Sequence, residues 1–129
     1  MNTDTITLTG HVGTEPRHLI SNDGLPITSF RVATNPRRYD SDTNEWVAGE
    51  TNWYTVTCFR ELAIHTARSI SKGDAVIVGG TLHVREWEKD DRKGTSVEVD
   101  AQSIGLDLRF GVSIFTRTTS KDDEEKMPS

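Results

Sequence analysis

At 129 residues the chain has the length of one domain, enough to bury roughly two-thirds of its unfolded surface around a single core. Its one cysteine, Cys58, excludes an internal disulfide and a Cys-rich zinc site, and a formal net charge of −5 excludes a protein that holds nucleic acid by bulk positive charge. No stretch approaches the roughly 20 apolar residues of a membrane span, and Met1 to Leu8 has no basic segment leading into an apolar run, so a cytoplasmic protein with no membrane partner is expected.

Thr5 to Val12 sets Ile6, Leu8 and Val12 against Thr5, Thr7, Thr9 and His11, the pattern of a half-buried strand, with a bulge expected at Gly10. Gly13 and Pro16 mark a turn. After a short run from Arg17 to Ile20, Asn22-Asp23-Gly24 predicts a hairpin, because these residues tolerate positive φ. The return strand runs from Ile27 to Thr34 with Phe30 and Val32 inward. Asn35 to Thr51 is a long polar connection carrying Pro36, Arg37, Arg38, Tyr39 and Trp46, and its length marks it as functional or mobile. A hairpin reaching beyond the body is expected there, with Trp46 as a packing anchor.

In Trp53 to Phe59, the residues Tyr54, Val56 and Cys58 form one apolar face, and Trp53, Thr55, Thr57 and Phe59 form the other. The spacing of Leu62, Ala63, Ala67 and Ile70 predicts a helix over Glu61 to Ile70, closed by Lys72-Gly73, with His65 facing solvent or a packing edge. Two strands follow around Gly79-Gly80, Ala75 to Val78 and Thr81 to Glu88, the second sending Leu82 and Val84 one way and His83, Arg85 and Trp87 the other. Lys89 to Gly94 is a charged hairpin tip, and Thr95 to Ala101 is the last core strand, with Val97, Val99 and Ala101 inward. Three strands, a helix and two strands make the fold class all-β with one helix: an OB-fold, a five-stranded Greek-key barrel with long hairpin loops. Phe110, Val112 and Ile114 alternate over Arg109 to Phe115, which predicts an extra C-terminal strand.

Trp53, Phe59 and Trp87 therefore sit on faces that their own patterns assign to the outside. Flat rings beside positive charge make a platform on which unpaired bases stack. Outer rings also occur in a second core layer or a subunit interface, but here they recur with Arg and Thr rather than Leu and Ile. The acidity of the chain requires that any such site be local, gathered from Arg31, Arg37, Arg38, Arg60, Arg85, Arg92, Lys93 and Arg109. Catalysis, a metal and a cofactor are not expected: His11, His18, His65 and His83 lack paired ligand spacing, there is no Gly-rich phosphate loop, and Cys58 reads as a buried thiol.

The chain resembles the bacterial single-stranded DNA-binding protein family. The matching elements are Ile6-Thr-Leu-Thr-Gly10, Gly13-x-x-Pro16, Phe30-Arg-Val-Ala-Thr34, Trp53-x-x-Val56-x-x-Phe59, Leu62-Ala63, Lys72-Gly73 and Gly80-x-Leu-x-x-Arg-x-Trp87, specific in order and spacing rather than singly. Arg38-Tyr39-Asp40 with Glu45-Trp46, and the ending Gly105-Leu-Asp-Leu-Arg109-Phe110, resemble the actinobacterial branch. The resemblance implies a homotetramer that wraps single strands, stacking bases on Trp53, Phe59 and Trp87 and on Tyr39 where relatives often carry tryptophan. It also implies that Arg38, Arg85 and His83 meet phosphate or base, and that Arg109 to Phe115 clamps subunits. Members that recruit replication and repair proteins end in a Gly/Pro-rich linker and an acidic tip closing with Pro-Phe. This chain closes instead with Asp122-Asp-Glu-Glu-Lys-Met-Pro128-Ser129, which points to a specialised paralogue.

The expected organisation is a DNA-binding OB domain over residues 1–110, an extra strand and linker over 111–120, and a short acidic disordered tail over 121–129. The expected function is sequence-independent binding and protection of single-stranded DNA in replication, recombination or repair, in the nucleoid-associated cytoplasm. The alternative is an OB-fold adaptor of the primosomal type that works through protein partners.

Overall fold

The computed structural model describes residues 4–118, apart from the side chains of Arg38 and Ala48. The acidic segment 121–129 lies outside the described residues. In chain order the elements are β1 (Thr5–Val12), β2 (Arg17–Ile20), β3 (Pro26–Thr34), β4 (Arg37–Asp40), β5 (Glu45–Ala48), β6 (Asn52–Phe59), α1 (Arg60–Ser69), β7 (Ala75–Lys89) and β8 (Arg92–Leu106). Each of β1, β7, β8, β6 and β3 pairs with the next, and β3 returns to β1, so five strands close into a barrel. All pairings are antiparallel except β6 with β8. This is the OB barrel expected from the element order.

The interior is filled mainly by β-branched side chains: Val12, Val32, Val56, Val76, Val78 and Val99 are fully or almost fully buried. Their branched stems suit a pleated surface, and each contributes about 1.5–3 kcal/mol through burial. Phe30 and Val32 point inward as predicted, and Tyr54, Val56 and Cys58 take the inner side of β6. Buried Thr28 ties three elements together: its hydroxyl donates to the Ala63 carbonyl of α1 at 2.7 Å and lies 2.7 Å from Nδ1 of His18 on β2. Since the hydroxyl hydrogen is spent on Ala63, it is the imidazole N–H that donates in the second bond.

Several sequence expectations are corrected. Gly10 is no bulge. Its register runs unbroken opposite Val76, and what it permits is close approach, since a side chain there would crowd the Ala33 carbonyl just where β1 passes from β7 to β3. The two strands around Gly79-Gly80 are one strand, β7. The irregularity at Gly79/Gly80 leaves Gln102 of β8 unpaired, which switches the inward side of β8 from Val97, Val99 and Ala101 to Ile104 and Leu106. β8 consequently starts at Arg92 and ends at Leu106, longer than predicted at both ends, and the hairpin tip shrinks to Asp90-Asp91, with Asp90 at φ 56°. Val84 shares the side of Leu82 but is exposed, because this part of the arm has already left the barrel.

The helix begins one residue early, at Arg60, which enters it through a left-handed φ of 62° that reverses the chain directly after β6. The strand expected over Arg109–Phe115 is not formed within one chain. Residues 111–118 carry no regular structure, and Val112 and Ile114 are 99% and 96% exposed. The physical reason is that the barrel's ring of pairings is already closed without them.

Candidate nucleic-acid interface

Register fixes which side chains share the outer surface. On β3 and β6, Arg31 lies opposite Thr55 and Ala33 opposite Trp53. The parallel pairing then sets Thr55 beside Glu98 and Thr57 beside Asp100, and β7 sets His83 opposite Glu98. Because partners in register point to the same side of a sheet, Arg31, Trp53, Phe59, Glu98, Asp100, His83, Arg85 and Trp87 all belong to one outer face. The predicted rings on β6 and β7 are thereby brought onto a single surface, bridged by β8.

Each ring is held by one side and open on the rest. Trp53 is 43% exposed, with its indole laid over Gly13 and the Arg31 guanidinium 4.6 Å from the ring centroid. That guanidinium both fixes the ring and brings positive charge to it. Trp87, 45% exposed, lies across its register partner Gly94, where any side chain would overlap the indole. Phe59 is 38% exposed at the end of β6. A ring that is half exposed on a strand whose inner face already supplies the core is free to accept a planar partner.

The two basic side chains that β7 brings to the face lie against acids of β8. Arg85 Nε stands 3.4 Å from Glu98 Oε2, and His83 Nε2 stands 3.1 Å from Asp100 Oδ2.

Tyr39 is on a different element. β4 and β5 form their own two-stranded sheet, which among the described residues packs on no other strand or helix. The hairpin is tied at its base by the Gly49 N–H donating to the Pro36 carbonyl and the Thr51 hydroxyl to the Asn35 side-chain oxygen. Tyr39 and Trp46 are register partners and meet edge to face with centroids 5.6 Å apart. Trp46 is 67% exposed, so it is not the packing anchor expected from its loop position but the larger ring of an exposed pair. The side chain of Arg38 lies outside the described residues.

Sequence reasoning named Arg31 among the cations of a local site but missed three residues of these surfaces, Trp46, Glu98 and Asp100. Trp46 carried a usable signal, since it and Tyr39 lie at matching places on the two arms of the hairpin. Glu98 and Asp100 have the pattern of the solvated side of a core strand, and only the parallel register places them between the rings.

Three titratable groups are perturbed, all away from this face: Cys58, Asp107 and Arg109. Burial pushes the Cys58 thiol up, and with the side chain fully enclosed it is an inert core group, as expected from its strand context. The Arg109 side chain hydrogen-bonds the Asp107 carboxylate, with Nη2 at 2.9 Å from Oδ2, and holds it below the usual carboxylate range. This pair secures the exit of β8, where Phe110 then meets His11 edge to face. Among the described residues no group of three or more His, Cys, Asp or Glu is placed to hold a metal ion, and no helix is long and apolar enough to cross a membrane.

Comparison with known proteins agrees with this geometry. The model of the single-strand binding protein family matches residues 3–107. The chain is 50% identical over 112 residues to single-stranded DNA-binding protein 2 of Tropheryma whipplei strain Twist, covering 87% of this chain and 74% of the relative. It is 38% identical over 124 residues to single-stranded DNA-binding protein 2 of Streptomyces avermitilis, covering 96% and 78%. Among solved structures, the small single-stranded DNA-binding protein from Streptomyces coelicolor superposes with a TM-score of 0.77 at 37% identity, over 86% of this chain and all of that one. The second single-stranded DNA-binding protein from Mycobacterium smegmatis gives 0.70 at 30% identity, over 90% of this chain and all of that one. With a closed OB barrel, rings on one outer face and a family match across almost the whole described body, the chain belongs to the single-strand binding protein family, in its actinobacterial branch.

Proposed function

We propose that this chain binds single-stranded DNA without sequence preference and protects it during replication, recombination and repair, as a non-enzymatic protein of the nucleoid-associated cytoplasm. The observation that carries the reading is the row of half-exposed rings, Trp53, Phe59 and Trp87, on one outer face, with Arg31 and Arg85 among them. Every base offers a π-face to such rings, so stacking holds a strand whatever its sequence, while guanidinium groups meet the phosphates. Tyr39 and Trp46 on the projecting β4–β5 hairpin extend the same chemistry beyond the barrel, and Arg38 adds a phosphate contact there.

The working assembly is a homotetramer. Two observations support it: β1 meets β3 only at His11 and Val12, leaving the earlier part of that strand edge without a partner among the described residues, and Val112, Ile114 and Phe115 stand exposed. Open edges and apolar side chains of this kind call for cover by another chain. An adaptor acting through proteins has no use for stacking rings on a shared face. Tryptophan fluorescence during titration with an oligothymidine strand tests the function: strong, saturable quenching is expected, and its absence would refute it.

A further inference from the structure

The two acids on the outer face are misplaced for a surface that receives a polyanion. Glu98 and Asp100 sit on β8 between the rings of β6 and the ring of β7, beside Thr55 and Thr57. Each lies diagonally against a basic side chain of β7: Asp100 against His83, and Glu98 against Arg85, although the direct register partner of Glu98 is His83. Arg31 faces the same row from β3, across Thr55. Glu98 is the more enclosed of the two acids, with 29% of its side chain exposed, while Arg85 is 72% exposed and therefore able to swing away.

We propose that Glu98 and Asp100 are built-in competitors of the DNA backbone: each holds a basic side chain of the binding face, Arg85 and His83 respectively, in a contact that a phosphate must displace. The inference rests on the single-strand reading above. An exposed ion pair between flexible side chains is weak, so it opens readily, but opening it in front of a phosphate leaves a carboxylate beside the incoming negative charge. The acids therefore lower affinity and reduce the number of phosphates that are effectively neutralised. They also position Arg85, which in their absence would sample solvent rather than lie across the sheet toward β8. Arg85 is charged at any ordinary pH, so the test is made on Glu98 and Arg85.

The test is a fluorescence titration with oligothymidine over a range of salt concentrations, with melting temperatures measured on the same samples. Glu98→Gln should bind about three- to tenfold tighter at low salt, as expected for removing one partly screened charge a few ångströms from a phosphate. Its log–log salt dependence should steepen by about 0.7, one further phosphate neutralised on a single strand. Arg85→Gln should bind more weakly, and the double variant Arg85→Gln with Glu98→Gln should fall between the two, a cycle that reads the coupling even if one single variant melts lower. Glu86→Gln, on the opposite side of the same arm, controls for net charge. Equal tightening by Glu86→Gln, or unchanged affinity and slope in Glu98→Gln, would overturn the inference while leaving single-strand binding intact. A wild-type chain that does not bind would instead remove the reading on which it rests.

Discussion

Trp87 offers the cleanest separation of stacking from folding, because its strand has left the barrel at that point and its ring lies over a glycine rather than over the core. Trp87→Ala should weaken binding of an oligothymidine strand by about 1–3 kcal/mol, the range for losing one base–aromatic stack, or about fivefold to 150-fold in Kd. Its effect on unfolding should stay within about 1 kcal/mol, since no buried core residue loses its cover. A subtler perturbation leaves the ring in the sequence. Gly94→Ala places a methyl group where the indole now lies, and the indole, being the far end of an exposed side chain, moves. Returning it to a stacking pose in an off-rotamer state costs about 0.5–1.5 kcal/mol, which predicts a two- to tenfold weaker complex and an unchanged melting temperature. Fluorescence titration and thermal melting of both variants suffice. If Trp87→Ala melts lower yet binds as the wild type does, the ring is a structural contact and the stacking platform is refuted.

Tyr39→Ala and Trp46→Ala should leave the melting temperature unchanged, since their hairpin packs on no other element, while lowering affinity by up to the same 1–3 kcal/mol in titration. Truncation after Asp107 should lower the melting temperature or shift light scattering from tetramers to dimers, whereas removing only Lys121 to Ser129 should change neither; unchanged assembly after the longer truncation would exclude a C-terminal clamp. Arg109 depresses the folded-state pKa of Asp107, so the stability it contributes is present above the ordinary carboxylate value of 3.8 and is lost as the pH falls through the lower folded value. Melting across this acid range should therefore show wild type and Arg109→Gln converging on acidification, and a constant gap would mean that the pair is not coupled to folding.

Alternation of side chains makes much of the site legible in the sequence itself. On β3 and β6 the inner set Phe30, Val32, Val56 and Cys58 leaves Trp53 and Phe59 outside by parity alone, and the same argument places Trp87 with Arg85 and His83. What parity cannot supply is the neighbour. Glu98 beside Thr55 is a contact between segments that are far apart in sequence, fixed by the one parallel pairing of the barrel. Trp46 opposite Tyr39 needs the hairpin register, set by a turn in which Asn44 adopts φ 57°. The change of inward parity in β8 is in principle readable, as Val97, Val99 and Ala101 give way to Ile104 and Leu106, but its cause is the bulge opposite Gly79 and Gly80.

The segment after Asp107 marks the physical boundary of what a strand pattern encodes about a single chain. Phe110, Val112 and Ile114 alternate as a strand does, and a strand needs an edge. Phe110 meets His11 within the chain, but Val112 and Ile114 stand almost fully exposed, because the five strands β1, β7, β8, β6 and β3 already close the barrel without them. Pattern and structure are reconciled if the edge belongs to another subunit. The apolar residues of this segment then encode assembly rather than fold, and the OB barrel should persist in the truncated chain even as the tetramer comes apart.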